Sequence, residues 1–206
     1  MGQALDCREA KSVVASAVSL ANQGESVLVW DRKTLEPKSP ILVWQDSRSA
    51  GLCAERSKFS SEIREISGLE NDPYFVAPKI RWLKDKYPSG FEITTLDTWI
   101  IAKLTNNFAT DISTASRSML FNLNTGKWDA KLIEIWELDD HIMPEVLNND
   151  AIVGEINSPD LPNLKGVPLA GIIVDQAAAL LAENCLEIGE AKCTYGTGAF
   201  LLCNIG

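Results

Sequence analysis

Apolar and polar positions alternate in blocks along the chain, and the blocks predict strands and helices in turn. Short apolar runs bounded by polar residues predict buried strands at residues 12–20, 27–30, 40–44 and 171–174, with a further short strand at 119–122. Stretches of helical periodicity or good helix formers predict helices at residues 49–58, 60–66, 77–86, 95–104, 128–136 and 177–183. Residues 110–117 are predicted to form a hydroxyl-rich loop, and the proline-rich residues 148–168 a connector with one edge strand. This alternation indicates the α/β class.

A carboxylate and an amide follow the last buried strand directly. Asp175 and Gln176 lie between the apolar run 171–174 and a stretch of good helix formers. Ligands of open α/β sheets bind in the crevice beyond the strand C-termini, so this turn is a candidate site. The alternative, equally consistent with the pattern, is that Asp175 only caps the following helix.

A glycine-rich turn comes next, within the run Thr194-Tyr-Gly-Thr-Gly198. Gly196 and Gly198 flank Thr197 between two β-prone runs. Glycines let backbone N–H groups approach an anion, and the hydroxyl adds a donor. A tight hairpin without a ligand is the alternative. A carboxylate that can accept a proton, followed by a loop that can hold phosphate, favours phosphoryl transfer.

The composition narrows the class of protein. The chain has 206 residues, of which 46% are apolar and 23% charged, as expected for one globular domain or one and a part. The net charge of −9 and the lack of a basic cluster argue against a nucleic-acid surface. No apolar run approaches the roughly 18 residues of a membrane span, and the N-terminus lacks the apolar segment of a signal peptide. We therefore expect a cytoplasmic protein with neither nucleic acid nor membrane as partner.

The cysteine and histidine content disfavours a metal site. Five cysteines form no closely spaced pairs, and His141 is the single histidine. Reduced thiols are the expected state, and no residue is assigned as a metal ligand. His141 is interpreted as a surface residue.

Seven short segments, in order along the chain, together resemble the FGGY carbohydrate kinases, and most closely their glycerol-kinase branch. Each is weak alone, and their order and spacing carry the resemblance. They begin with Asn22-Gln-Gly-Glu25, Ile41-Leu-Val-Trp44-Gln-Asp46-Ser-Arg48, Asp72-Pro-Tyr74-Phe with Lys79-Ile-Arg-Trp82, and Leu96-Asp97-Thr-Trp99-Ile-Ile. They continue with Thr110-Asp-Ile-Ser-Thr-Ala-Ser-Arg117-Ser-Met-Leu-Phe-Asn122, Val174-Asp175-Gln176-Ala-Ala-Ala-Leu, and Thr194-Tyr-Gly-Thr-Gly-Ala-Phe200.

The resemblance implies a fold and a division into domains. The fold is the RNase H-like α/β domain of the actin, sugar kinase and Hsp70 ATPase superfamily. Residues 1–12 are expected to form a polar tail, and residues 13–188 the N-terminal kinase domain without its first phosphate-binding hairpin. Residues 189–206 are expected to begin a second such domain with the hairpin of the second phosphate loop.

The resemblance also implies roles for individual residues. Asp175 matches the general base that takes the proton of the attacking hydroxyl. The polyol-binding positions match Glu25, Trp44, Tyr74, Asp175, Gln176 and Phe200. The loop that receives the ATP phosphates matches Gly196, Thr197 and Gly198. ATP and Mg²⁺ are the implied cofactors, and a polyol or sugar is the implied substrate.

Two departures from the family pattern shape the functional expectation. Gly24 stands where glycerol kinases carry an arginine that donates to a substrate hydroxyl, which leaves the identity of the polyol or sugar open. The first phosphate loop and the domain with the adenosine site have no counterpart in the sequence. The expected activity is ATP-dependent phosphorylation of a polyol or sugar, and this chain alone is expected to be inactive. The alternatives are a non-catalytic polyol-binding or regulatory protein and a fragment without a function of its own. Formation of a homo-oligomer is a further possibility.

Overall fold

The computed structural model describes residues 14–206, so the predicted tail at residues 1–12 lies outside the described residues. A three-stranded sheet joins the two halves of the chain. Strand β1 (Val18–Asn22) pairs in parallel with β9 (Pro168–Val174), which pairs antiparallel with β8 (Ile152–Glu155). Asn22 is the register partner of Val174. Because parallel strands end on the same edge, the loops after β1 and β9 leave the sheet side by side.

The remaining strands form short pairs around this sheet. Strand β2 (Val27–Trp30) is antiparallel to β3 (Glu92–Thr95), and β4 (Ala109–Asp111) is parallel to β7 (Glu145–Leu147). Two hairpins pair β5 (Phe121–Asn122) with β6 (Lys127–Trp128), and β10 (Ala191–Tyr195) with β11 (Ala199–Cys203).

Seven α-helices connect and cover the strands within the described part of the chain. They are α1 (Ala50–Glu55), α2 (Ser60–Ser67), α3 (Val76–Lys86), α4 (Leu96–Thr105), α5 (Ile112–Ala115), α6 (Ala130–Ile135) and α7 (Asp175–Ala182). Two 3-10 turns, Ser57–Phe59 and Pro162–Leu164, complete the regular structure. None of these helices is long and apolar enough to cross a membrane.

The core explains why the strand β2 forms. All four of its residues are fully buried, as expected for a strand that is covered on both faces. Val27 and Val29 pack in the largest apolar cluster, whereas Leu28 and Trp30 pack on the other side against helix α4. The Trp30 indole N–H donates to the Thr94 hydroxyl at 2.9 Å, so this buried polar group is satisfied. The α/β class is confirmed.

Two strand predictions are wrong. Residues 40–44 form no strand, and only Leu42 makes an isolated bridge, in which both of its backbone groups pair with Val27. Pro40 has no N–H to donate, which limits the ladder to that single bridge. Of the segment 12–20, residues 12 and 13 lie outside the described residues; in the rest the strand begins at Val18, and its residues alternate between half-buried and exposed before Asn22. Within residues 14–206 it pairs on one side only, with β9.

Two further local predictions need correction. The predicted loop at 110–117 contains the end of β4 and the helix α5. The Asp111 carboxylate caps this helix by accepting from the N–H groups of Ser113 and Thr114. His141 is half-buried rather than on the surface, and this burial lowers the pKa of its imidazole.

Candidate active site

A cavity of about 470 Å³ opens where the loops after β1 and β9 meet. Five of the residues predicted for the site line it, namely Glu25, Tyr74, Asp175, Gln176 and Phe200. They come from four separate parts of the chain. The volume lies within the usual range for small-molecule sites.

Asp175 owes its position to a polar network beneath the end of β9. The Val174 N–H donates to the Ser113 hydroxyl at 2.9 Å. The Asn149 side-chain amide donates to Asp111 Oδ1 and to the Ile172 carbonyl, both at 2.8 Å. The hydroxyl-rich segment around α5 therefore fixes the strand end from which Asp175 projects.

Asp175 is the first residue of α7, so the interpretation of this side chain as the helix N-cap is wrong. The cap position is Val174, which makes no side-chain cap. The exposed Asp175 carboxylate accepts only from the neighbouring Gln176 N–H, at 2.8 Å, among the hydrogen bonds of residues 14–206. Most of its acceptor capacity is left for a ligand in the cavity.

Glu25 lies across the cavity in a strained conformation. Its φ of 55° lies in the left-handed region, which costs a side-chain-bearing residue energy unless its surroundings hold it. The Arg117 Nε donates to Glu25 Oε1 at 2.7 Å, and the Lys79 ammonium donates to the Glu25 carbonyl at 3.1 Å. Burial raises the pKa of the Glu25 carboxyl, and the Arg117 charge opposes this rise.

Lys79 links the backbones of two cavity residues. Its side chain is fully buried and donates to the carbonyls of Glu25 and Tyr74. Burial lowers the pKa of the ammonium to about 8, although the carboxylates of Glu25, Asp46 and Asp72 act to raise it. This buried cation therefore ties the loop after β1 to the segment before α3.

Aromatic rings form one wall of the site. Trp44 packs against Tyr74 with ring centroids 5.8 Å apart and against Phe200, edge to face, at 5.7 Å. Trp44 lies behind the lining residues rather than among them. A Cβ at Gly198 would lie 2.9 Å from the Phe200 ring, so a glycine there lets this ring lie against the turn. These rings offer an apolar surface for the C–H groups of a ligand.

The glycine turn forms the tight hairpin between β10 and β11, and its tip lies outside the cavity lining. The Gly196 N–H donates to the Gly198 carbonyl at 2.9 Å, which removes it as a donor to a ligand. Thr197 is exposed. The structure thus brings five of the six predicted acceptor residues together in the cavity lining, and it leaves all three residues predicted for the phosphate loop, Gly196, Thr197 and Gly198, outside that lining.

A buried lysine connects this hairpin to α7. The Lys192 ammonium, in a residue only 8% exposed, donates to Gln176 Oε1 at 2.6 Å and to the Thr194 hydroxyl at 2.7 Å. Because the cation takes the carbonyl end of the amide, the amino group of Gln176 is the end left to face a ligand.

Sequence reasoning assigned no role to several residues that shape the site. Ser113, Ser116 and Arg117 line the cavity, and Lys79 and Lys192 support it from behind. Arg117 and Lys79 lie within the quoted segments, but nothing in their spacing indicates the contacts that they make. A lysine inside an apolar helical stretch, as at position 79, was the available signal.

The side chains fit the two implied cofactors unequally. Among residues 14–206, no group of three or more His, Cys, Asp or Glu side chains is arranged to hold a metal ion. These donors do not fit a Mg²⁺ ion held by the protein alone, and no step below depends on one. The N–H groups of Thr197 and Gly198 have no acceptor among the described residues, which fits a phosphate group at the hairpin tip.

A cavity with carboxylates, an amide and an aromatic wall at the strand ends of an α/β fold defines a small-molecule-binding protein. Residues 3–182 match the model of the N-terminal domain of the FGGY family of carbohydrate kinases. The chain belongs to this family.

Similar proteins include glycerol kinases. A probable glycerol kinase of Caenorhabditis elegans is 41% identical over 203 residues, which are 92% of this chain and 40% of that protein. A crystal structure of Plasmodium falciparum glycerol kinase with ADP is 35% identical with a TM-score of 0.87, and the match covers 93% of this chain and 40% of that one. The gluconate kinase of Lactobacillus acidophilus, at 19% identity and a TM-score of 0.82 over 92% of this chain and 40% of that one, shares the fold. This chain thus spans about 40% of the length of the relatives that it matches.

Proposed function

We propose that this chain forms the acceptor half of a kinase site that phosphorylates a polyol or sugar hydroxyl. One observation carries the proposal: Asp175, Glu25, Gln176 and Phe200 line the same cavity although their loops are far apart in the sequence. The membership of the family supports the class of reaction, and the similarity to proteins named glycerol kinase supports a small polyol as acceptor.

The proposed binding mode follows from the chemistry of the lining. The Glu25 carboxylate accepts from one hydroxyl of the polyol, and the Gln176 amino group donates to another. The rings of Phe200 and Tyr74 cover the C–H face of the carbon chain. The acceptor is thereby fixed relative to Asp175, and positioning is the main contribution that phosphoryl transfer requires from a protein.

Asp175 is the proposed general base. Its carboxylate projects from the start of α7 with free acceptor capacity, so it can take the proton of the hydroxyl that attacks. When bound, ATP supplies the phosphoryl group. The N–H groups of Thr197 and Gly198 and the Thr197 hydroxyl are the proposed donors to its phosphates, with Gly196 shaping the turn.

Calorimetric titration of the chain tests the acceptor site. Glycerol, erythritol and xylitol are added to the 206-residue chain with and without ATP. We expect saturable binding of at least one of them without ATP. The absence of binding by all three would contradict the proposed function.

The rate of polyol-dependent ADP release tests the role of Asp175. It is measured for this chain and for any longer product that contains it. We expect little or no release by this chain alone. In an active longer product, Asp175→Asn is expected to lower the rate at least ~10²-fold while leaving polyol affinity mostly intact. An unchanged rate would remove Asp175 as the base.

A non-catalytic polyol-binding or regulatory role is the second candidate. The position of the hairpin tip favours it, because Gly196 and Thr197 do not line the cavity that holds Asp175. The titrations above discriminate between the two candidates. Polyol affinity that ATP does not change supports the binding role, whereas a change in affinity with ATP supports a shared kinase site. That the protein is cytoplasmic, and that it forms a homo-oligomer, are still predictions.

A further inference from the structure

Arg117 is the one cationic side chain among the described residues that line the cavity. It follows helix α5, and its side chain is 37% exposed. The guanidinium lies over two rings, 5.9 Å from the Tyr74 centroid and 5.1 Å from the Phe75 centroid. These rings and the bond to Glu25 hold a planar group of donors at the cavity wall.

The Nη groups of Arg117 keep donor capacity for a ligand. The Nε of Arg117 donates to Glu25 Oε1 at 2.7 Å, and neither Nη group makes a hydrogen bond of good geometry to residues 14–206, although the Tyr74 hydroxyl lies near enough for Arg117 to act on the pKa of that phenol. On Glu25, Oε1 is taken by this bond and Oε2 accepts from none of those residues. The ion pair therefore presents a strong donor and a strong acceptor side by side.

Position 24, next to Glu25, supplies no side-chain donor to the site. A Cβ at Gly24 would lie 2.8 Å from Val174 Cγ2, so a side chain at position 24 requires Val174 to move. Within the described lining, Arg117 is therefore the one charged donor, beside the carboxylates of Glu25 and Asp175.

We infer that Arg117 determines specificity in this cavity by donating a hydrogen bond to one hydroxyl of a vicinal diol whose neighbouring hydroxyl donates to Glu25. The inference rests on the proposed function and deepens it. It adds Arg117 to the residues proposed to contact the polyol. Hydroxyls on adjacent carbons lie close enough together to reach both Arg117 and Glu25, which are hydrogen-bonded to each other.

Two isomeric diols test the inference. 1,2-Propanediol has the vicinal pair, whereas 1,3-propanediol has the same atoms without it. The affinity of each is measured by competition against glycerol bound to the wild-type chain and to the variants Arg117→Gln and Arg117→Lys. The wild-type chain is expected to bind 1,2-propanediol about 10-fold or more tightly than its isomer, as a charge-assisted hydrogen bond allows.

The variants separate this role from a merely structural one. Arg117→Gln is expected to reduce the preference between the isomers to within ~2-fold, because it removes the hydrogen bond made only to the vicinal pair. If Arg117 merely held Glu25 in place, the affinity for both isomers would fall together and the preference would persist. Arg117→Lys keeps the cation beside Glu25 and is expected to lower the preference for 1,2-propanediol over its isomer at least ~3-fold. This variant provides the test if Arg117→Gln does not fold.

An arginine outside the cavity provides the control for the Arg117 variants. Arg64→Gln removes an exposed arginine that pairs with Glu70, away from the cavity, and is expected to leave the preference unchanged. An equal affinity of the wild-type chain for both isomers, or a preference that both Arg117 variants retain, overturns this inference alone. Failure of the wild-type chain to bind glycerol, erythritol and xylitol overturns the inference together with the proposed function.

Discussion

Replacing Lys79 tests whether the candidate site is supported by a buried positive charge. The substitution Lys79→Met replaces the buried ammonium with an apolar side chain of similar length. It removes the hydrogen bonds to the carbonyls of Glu25 and Tyr74 together with the charge. The dependence of stability on pH isolates the contribution of the charge.

The magnitude follows from the pKa of Lys79. Burial lowers it from 10.5 to about 8 in the folded chain. Between these values the unfolded chain binds more protons, so the contribution of Lys79 to the free energy of unfolding rises with pH. Below both values the two states are equally protonated, and the cost of burying the charge is fully present. The difference between the two pKa values corresponds to about 3 kcal/mol in the free energy of unfolding. About 2 kcal/mol of this develops between about pH 7 and pH 9.5.

Urea unfolding at a series of pH values measures this contribution. The free energy of unfolding of the wild-type chain minus that of Lys79→Met is expected to rise by about 2 kcal/mol over that interval. Taking the difference cancels groups that titrate alike in both chains. Lys86→Met, an exposed lysine on the same helix, controls for the added methionine. A difference that stays flat with pH would refute the burial of a charged Lys79.

Two more predictions concern buried charges elsewhere. Lys192→Met is expected to weaken polyol affinity ~10-fold, because Gln176 loses the cation that fixes its amide; unchanged affinity in calorimetry would show that Lys192 does not orient it. Asp97 is fully buried, and desolvation raises the pKa of its carboxyl from 3.8 to about 6. The folded chain therefore holds this proton more tightly, so the stability that Asp97 contributes is present below about pH 4 and is lost as pH rises through 6. The free energy of unfolding of the wild-type chain minus that of Asp97→Asn is expected to fall by about 2 kcal/mol between about pH 4 and pH 7, and an absent slope in urea unfolding contradicts it.

The sequence pattern was sufficient for elements whose residues carry the signal locally. The apolar run before Asp175 and the helix formers after it define a strand end and a helix start, and β9 and α7 meet there. The run at 40–44 has a similar apolar pattern but pairs with β2 through the single bridge of Leu42. Periodicity reports which side chains are apolar, whereas a strand requires a neighbour that accepts its backbone hydrogen bonds.

The candidate site was predictable where a strand end or a match to a family segment marked its residues. Asp175 was selected from its position between a strand and a helix, whereas Glu25 and Phe200 were assigned from the family resemblance, and the three residues share a cavity. Lys79 and Arg117 lie in such segments but were not selected, because their significance lies in contacts with residues 54 and 92 positions away in the sequence. These contacts exist only in the folded chain, and for Lys79 they come with complete burial of the side chain.

The central claim is that the cavity between Glu25 and Asp175 binds a neutral polyol. The most direct measurement is a calorimetric titration with glycerol of the wild-type chain, Glu25→Gln and the exposed control Glu65→Gln. Saturable binding to the wild-type and control chains is predicted, with an affinity at least ~10-fold lower for Glu25→Gln, because the amide is a weaker acceptor than the carboxylate. Equal affinity of Glu25→Gln and the wild-type chain, or no binding to either, would contradict the account.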